Sequence, residues 1–209
     1  MSLNGPLKIG FLASHGGSSM KAILQAIADE SLNASACVVI CNNADAPALA
    51  DAQTLGIPAY HLSQTRLGTD GDLDRAVAET LEACGTELVV LSGYLRKIGP
   101  WTLRRYRSRI LNIHPGLLPS YGGRGMHGRR VHEAVIAAGD AISGITIHLV
   151  DEEYDRGPAV ARCEVPVEIG DTPAALAKRI EALEPQFFVE TLRRIADGML
   201  RLPSVENYA

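Results

Sequence analysis

The sequence predicts an α/β fold, a single-domain, doubly wound, mostly parallel twisted sheet with helices on both faces. Three observations predict it. Short apolar runs alternate with segments whose apolar residues recur at helical spacing, an order that lays strands side by side through crossovers. The run Leu88–Ser92 (Leu-Val-Val-Leu-Ser) is almost uninterrupted in its apolar character, as in a strand covered on both faces. With 209 residues, 46% hydrophobic and 21% charged, the chain can bury one sizeable core and has an ordinary globular composition.

Each element follows in order. Residues 7–13 read as a first strand and 18–29 as a helix behind a Gly-Gly turn. Residues 36–41 form a second strand, 46–55 a helix stopped by Gly56 and Pro58, and 59–62 a short third strand. The segment 72–84 places Leu73, Val77, Leu81 and Cys84 on one helical face. Strand 88–92 is followed by a helix over 101–106 and by the strand Ile110–His114. Residues 115–128 hold two prolines and five glycines and predict a long loop able to cover a site. A helix over 130–139 and strands over 143–150 and 159–167 come next, the strands joined by an acidic turn. Residues 172–198 form one long helical region, interrupted or bent near Pro185. Without a repeat or linker, residues 1–209 read as one domain, with residues 1–6 as a flexible tail or cloning remnant.

Charge and cysteine usage exclude several classes. A net charge of −4 argues against a nucleic-acid partner, and Arg104, Arg105, Arg107 and Arg109 read as a solvated helix face. No apolar run reaches membrane-spanning length, and no basic segment leads into a long apolar one at the N-terminus. A cytoplasmic location without a membrane partner is expected. Cys37, Cys41, Cys84 and Cys163 lack metal-site spacing, so buried free thiols and no bound metal are expected.

The chemistry concentrates at strand ends. Side chains alternate along a strand, so Asn112 and His114 share a face, roughly 6–7 Å apart at Cα. A neutral amide can donate to an oxyanion and an imidazole can shuttle a proton. The same pair also reads as a turn-forming Asn and a satisfied core histidine. In open α/β sheets ligands sit beyond the carboxyl ends of the strands. Three loaded segments fall there: Ser14-His15-Gly16-Gly17-Ser18-Ser19, Gly93-Tyr94-Leu95-Arg96, and Asn112 with His114. The first suits a phosphate at a helix N-terminus, or is a plain glycine turn with Ser18 as N-cap. It carries neither the dinucleotide nor the nucleoside triphosphate fingerprint. Asp155 lies in a constrained turn beside Gly157 and Pro158, where its carboxylate can face an imidazole, while Asp151, Glu152 and Glu153 read as solvent-facing.

Leu111-Asn112-Ile113-His114-Pro115 with Leu117-Leu118-Pro119, Ser143 through His148, and Asp151 through Pro158 together resemble the folate-dependent formyltransferases. The chain length and the Ser-x-x-Gly-Ser first loop resemble the branch that acts on phosphoribosylglycinamide in purine biosynthesis. That resemblance covers about residues 8–200 and implies 10-formyltetrahydrofolate as co-substrate, small-molecule partners and no metal. It implies that Asn112 stabilises the oxyanion, that His114 protonates the departing folate nitrogen, and that Asp155 keeps His114 charged and oriented. By the same resemblance Gly17, Ser18 and Ser19 grip the ribose phosphate and Glu184 binds the ribose hydroxyls. Leu95, Arg96, Lys97 and Ile98 line the folate pocket, and Asn112, Asp151 and Asp155 reach the folate. Residues 7–113 then form the nucleotide-substrate half and 114–209 the folate and C-terminal half, with a homodimer left open.

Departures from the family pattern bear on substrate contacts. His15 and Gly16 replace a common Gly-Asn, Ser19 stands where Asn is usual, and Pro185 replaces a histidine after Glu184. A basic residue is missing near Asp70, for which Arg66 is a substitute, and the loop Gly122 to Gly128 is longer than in many members. A 10-formyltetrahydrofolate hydrolase keeps the same Asn/His/Asp set but usually adds an N-terminal domain. The methionyl-tRNA enzyme resembles a longer chain. A non-catalytic folate- or phosphosugar-binding paralogue is the alternative outside enzymes, and the missing glycine fingerprint disfavours an NAD-dependent oxidoreductase.

Overall fold

Residues 5–203 are described by the computed structural model. The strands are β1 (Leu7–Ala13), β2 (Ala34–Cys41), β3 (Ala59–His61), β4 (Leu88–Ser92), β5 (Ile110–His114), β6 (Ile142–Leu149) and β7 (Ala159–Pro166). The helices are α1 (Ser18–Ala28), α2 (Pro47–Thr54), α3 (Gln64–Leu67), α4 (Asp70–Ala83), α5 (Pro100–Arg105), α6 (Arg129–Ala138) and α7 (Pro173–Ala196). Of the expected tail, residues 1–4 lie outside the described residues, and Gly5 and Pro6 are exposed.

All seven strands join one sheet in the order β3-β2-β1-β4-β5-β6-β7. Pairing is parallel from β3 to β5, and β6 and β7 add antiparallel. The chain winds outward in opposite directions from β1, so the carboxyl ends of β1 and β4 border the crevice where ligands bind in such sheets. Both faces are covered, which explains the continuous apolar strands. Phe11, Val39, Val90 and Leu111 share one core with Met20 and Ile23 of α1 and Phe188 and Leu192 of α7. Leu12, Ile40, Val89 and Ile110 share the other with Leu73, Val77 and Leu81 of α4 and with Tyr106.

Several boundaries differ from the sequence reading, each for a local reason. β2 starts at Ala34 because Leu7 already pairs with it. α4 starts at Asp70 because Thr69 caps it, its Oγ1 accepting from the Asp72 amide (3.1 Å) and donating to the Asp72 carboxylate (2.6 Å). The short α3 was not anticipated. α7 runs through Pro185 as one helix of 24 residues. The ring removes one amide donor, and burial of Phe188, Leu192 and Ile195 beyond it holds the next turns in place. Of the cysteines only Cys41 is buried, the other three being half-buried.

Two helices near the crevice are capped by side chains from other elements. α1 has no cap of its own, since its N-cap is Gly17 in the left-handed region, and Ser18 is the first helical residue rather than the cap. Ser92 at the end of β4 instead accepts from the Met20 amide at 3.0 Å. α5 begins at Gly99-Pro100, and the buried Asp74 of α4 accepts from the amides of Trp101 (2.7 Å) and Thr102 (3.1 Å) and from the Thr102 hydroxyl (2.6 Å). A Cβ at Gly99 would overlap the Asp74 carboxylate, so glycine permits that approach. Asp74 therefore anchors the end of the segment 94–99. Asp74→Ala is expected to cost roughly 1–3 kcal/mol in urea denaturation through the orphaned donors. A loss below about 0.5 kcal/mol, the range of ordinary surface changes, would contradict the anchoring.

Candidate active site

The β5–β6 register brings the polar side chains together. Asn112 lies directly opposite His148, and His114 opposite Thr146. Opposed residues of an antiparallel pair project to the same face, so all four side chains share one. Asn112 Nδ2 lies 3.1 Å from His148 Nε2, and His148 Nδ1 lies 2.9 Å from the Leu149 carbonyl oxygen. Over this face fold two loops, 115–128 and 150–158. Thr146 Oγ1 pins the first, donating to the Gly116 carbonyl (2.7 Å) and accepting from the Leu118 amide (3.0 Å).

Asp155 enters from the second loop. Its backbone is left-handed (φ 57°), a conformation Asp tolerates better than most residues. A Cβ at Gly157 would overlap the Leu149 carbonyl oxygen, so glycine alone lets the loop close onto the end of β6. The carboxylate then sits between two imidazoles, Oδ2 at 3.6 Å from His114 Nδ1 and Oδ1 at 3.5 Å from His148 Nε2. It also accepts from the Gly123 amide of the first loop at 3.0 Å. His114 and His148 are each 3% exposed and Asp155 12%.

Burial pulls the charges of this cluster in opposite directions. For Asp155 burial favours the neutral acid, but bonds from His148 and the Gly123 amide, with the two imidazoles' charges, outweigh it and hold the carboxyl below its usual range. For His114 burial is the larger effect and lowers its pKa, with Asp155 and the bond to the Tyr121 carbonyl opposing it. Asp155 thus favours the charged form of His114 without outweighing burial. His114 Nε2 lies 2.9 Å from the Tyr121 carbonyl oxygen, which can only accept, so that nitrogen carries a hydrogen.

A cavity of about 90 Å3 opens beside the cluster, lined by Arg96, Lys97, Ile98, Asn112, His148 and Asp155 among others, with Asp151 at its edge. A larger one of about 710 Å3 shares the rim from Tyr94 to Ile98 and reaches the α4–α5 side. Leu95 borders only the larger cavity of these two, and its side chain is 70% exposed. Its amide donates to Ser14 Oγ at 2.8 Å, tying the segment to the end of β1. Arg96 is committed to Asp70 (2.5 Å) and Gln64 (3.0 Å), and Arg66 donates to the His61 carbonyl (3.2 Å). Asp151, Glu152 and Glu153 are exposed, as their composition suggested.

Gly17, Ser18 and Ser19 form the start of α1 at the carboxyl end of β1, Ser18 exposed and Ser19 buried. Glu184 lies on α7, which packs against α1. Burial, with the charge of Glu181 adding, pushes its carboxyl up to about 7. The sequence reading gave no role to His148, to Tyr121, or to Tyr94, whose phenol burial pushes up to about 12. His148 stood within a quoted motif, but only the antiparallel register reveals its partner. Among the described residues no group of three or more His, Cys, Asp or Glu side chains is placed to hold a metal. Nor is any helix there long and apolar enough to cross a membrane.

A half-buried amide, two buried imidazoles and a carboxylate at the carboxyl edge of an open α/β sheet are the parts an acyl-transfer site can use. The formyl transferase family model matches residues 7–192, and the chain belongs to that family. It is 35% identical over 206 residues to the chloroplastic phosphoribosylglycinamide formyltransferase of Arabidopsis thaliana, covering 96% of this chain and 70% of that one. To the Escherichia coli phosphoribosylglycinamide formyltransferase it is 31% identical over 196 residues, covering 94% and 90%. The crystal structure of glycinamide ribonucleotide transformylase 1 from Symbiobacterium toebii superposes with a TM-score of 0.85 at 34% identity, covering 95% of this chain and 91% of that one.

The balance at His114 predicts a pH effect. If imidazolium is the active acid, turnover falls as pH rises through the His114 pKa. Asp155 raises that pKa, so Asp155→Asn lowers it and moves the alkaline limb of the kcat–pH profile to lower pH. A limb that stays in place or moves upward would count against the pairing.

Proposed function

We propose that this chain transfers the formyl group of 10-formyltetrahydrofolate to the amine of 5′-phosphoribosylglycinamide, a step of purine biosynthesis. The observation that carries the reading is the cluster of Asn112, His114 and Asp155, of which Asn112 and Asp155 line one cavity and His114 lies behind them against Asp155, joined to the family membership. The segment 95–98 and the loop from Asp151 to Asp155 border the cavities that would take the folate. The Ser18 and Ser19 amides at the open end of α1 suit a phosphate, with the helix dipole adding to the attraction. The buried Ser19 hydroxyl makes this a backbone contact. Glu184, with a carboxyl near 7, can both accept from and donate to ribose hydroxyls. The cytoplasm is the compartment we assign, although the plant relatives are named chloroplastic.

In this reading the neutral amine attacks the formyl carbon and a C–N bond forms. Negative charge develops on the formyl oxygen, where a positioned donor contributes about 3–4 kcal/mol, and Asn112 Nδ2 supplies one. The bond from the formyl carbon to the folate nitrogen then breaks as His114 gives that nitrogen a proton. General acid help of this kind is worth about 10²–10⁴ in rate. The proton the amine gives up leaves to solvent. Asp155 stabilises the imidazolium, and the Tyr121 carbonyl yields its hold on Nε2 as the substrate takes its place.

Deformylation of 10-formyltetrahydrofolate, followed spectrophotometrically with and without phosphoribosylglycinamide, tests the proposal. Turnover that depends on the ribonucleotide is expected. Folate turnover without it would make the protein a hydrolase, and silence in both with ligand binding intact by calorimetry would make it a binding module.

A further inference from the structure

The Asn112 amide can serve as an oxyanion donor only if its nitrogen, and not its oxygen, presents a free hydrogen to the formyl group. Backbone packing does not decide this, because an Asn side chain fits its site almost equally well after a 180° flip. The neighbouring polar atoms decide it. The Leu149 carbonyl, which can only accept, lies 2.9 Å from His148 Nδ1, so that nitrogen carries a hydrogen. In the neutral ring Nε2 is then a bare acceptor, and Asn112 Nδ2 faces it at 3.1 Å. An amide nitrogen has two hydrogens. One is held by His148, and the other is left for a ligand in the cavity that both residues line.

We propose that His148 is a positioning residue that acts through Asn112, its Nε2 holding one Nδ2 hydrogen so that the second is presented to the formyl oxygen. The role rests on the formyl-transfer reading above, but the amide anchor itself is a property of the free protein. His148 is built for it. The ring is buried, its tautomer is set by its own chain at the end of β6, and the β5–β6 register places it directly opposite Asn112. Asp155 Oδ1 lies 3.5 Å from the same Nε2, which can donate to it only as imidazolium; in the neutral ring the shorter contact, to Asn112, takes the Nε2 lone pair. Loss of the anchor leaves Asn112 free to turn its oxygen toward the developing negative charge, which converts a stabilising contact into a repulsive one.

Substitutions that keep or remove the acceptor separate positioning from mere packing. His148→Leu removes it and is expected to lower kcat about tenfold to a hundredfold, short of the 10²–10³ seen when an oxyanion donor is deleted. KM for both substrates should change less than about threefold, because the loss falls on the transition state. His148→Gln restores a carbonyl acceptor and should recover most of the lost kcat. In an Asn112→Ala background His148→Leu should cost less than about twofold more, since residues acting through one another are not additive. Losses that multiply in the double variant, or a Gln variant no better than Leu, would overturn the proposal.

The side-chain amide of Asn112, followed by 15N–1H NMR in the wild-type protein without ligand, tests the anchor independently of variant folding and of turnover. One Nδ2 hydrogen shifted downfield and slow to exchange, with the other exchanging faster, is expected. Two equivalent, fast-exchanging hydrogens would refute the anchor even if formyl transfer is observed. The anchor with no formyl transfer would instead refute the functional reading.

Discussion

Asp155 brings a negative charge to a position where its side chain is 12% exposed, and its contacts explain how that charge survives and what it organises. Burial alone would protonate it, yet two imidazoles and the Gly123 amide keep the carboxyl below its usual range. Each contact comes from a different part of the chain. His114 ends β5, His148 sits near the end of β6, and Gly123 belongs to the long glycine-rich loop. One carboxylate thereby joins the central sheet, its antiparallel extension and the loop that covers them. Its own placement depends on Gly157, the position where the loop passes too close to the Leu149 carbonyl for any side chain. A charged group in a site of low local dielectric interacts strongly with whatever faces it.

The two histidines use that charge differently. At His114 burial outweighs the carboxylate, so in the free protein the ring favours its neutral form relative to an exposed histidine. In the proposed acid role, a lowered pKa would make the imidazolium a stronger acid toward a poorly basic leaving nitrogen, at the expense of its population near neutrality. His148, in the neutral form proposed above, turns its Nε2 lone pair to Asn112 instead. The same carboxylate thus lies beside His114, the proposed proton donor, and beside His148, the proposed anchor of Asn112. Asn112, His114 and Asp155 would be acting on one reacting centre, as the family membership and the relatives' named activity support.

Much of this was legible in the sequence, for identifiable physical reasons. Strands buried on both faces have continuous apolar runs, so β1, β2 and β4 could be read directly, and alternation along β5 placed Asn112 and His114 on one face. Glycine and proline beside Asp155 marked a constrained turn. What stayed hidden depends on register or on backbone atoms. His148 is an isolated histidine in an apolar run, and its meaning comes from lying opposite Asn112 in an antiparallel pair. The acceptor for His114 is the carbonyl of Tyr121, a group every residue carries and no residue type signals. Asp74 and Ser92 cap helices from 27 and 72 residues away, contacts that a local capping motif cannot announce. The folate-side expectation for Leu95 rested on resemblance; the structure places Leu95 at the larger cavity with its side chain exposed and its amide tied to Ser14 at the end of β1.

The central claim is that burial, and not the Asp155 carboxylate, dominates the charge state of His114 in the free protein. The most direct measurement is an NMR titration of 15N-histidine-labelled protein, with His114 assigned by substitution. The account predicts that His114 titrates below the ordinary histidine value of about 6.5. It also predicts that the neutral form carries its proton on Nε2, where the Tyr121 carbonyl accepts it. Titration above the ordinary value, or a neutral form protonated on Nδ1, would contradict it.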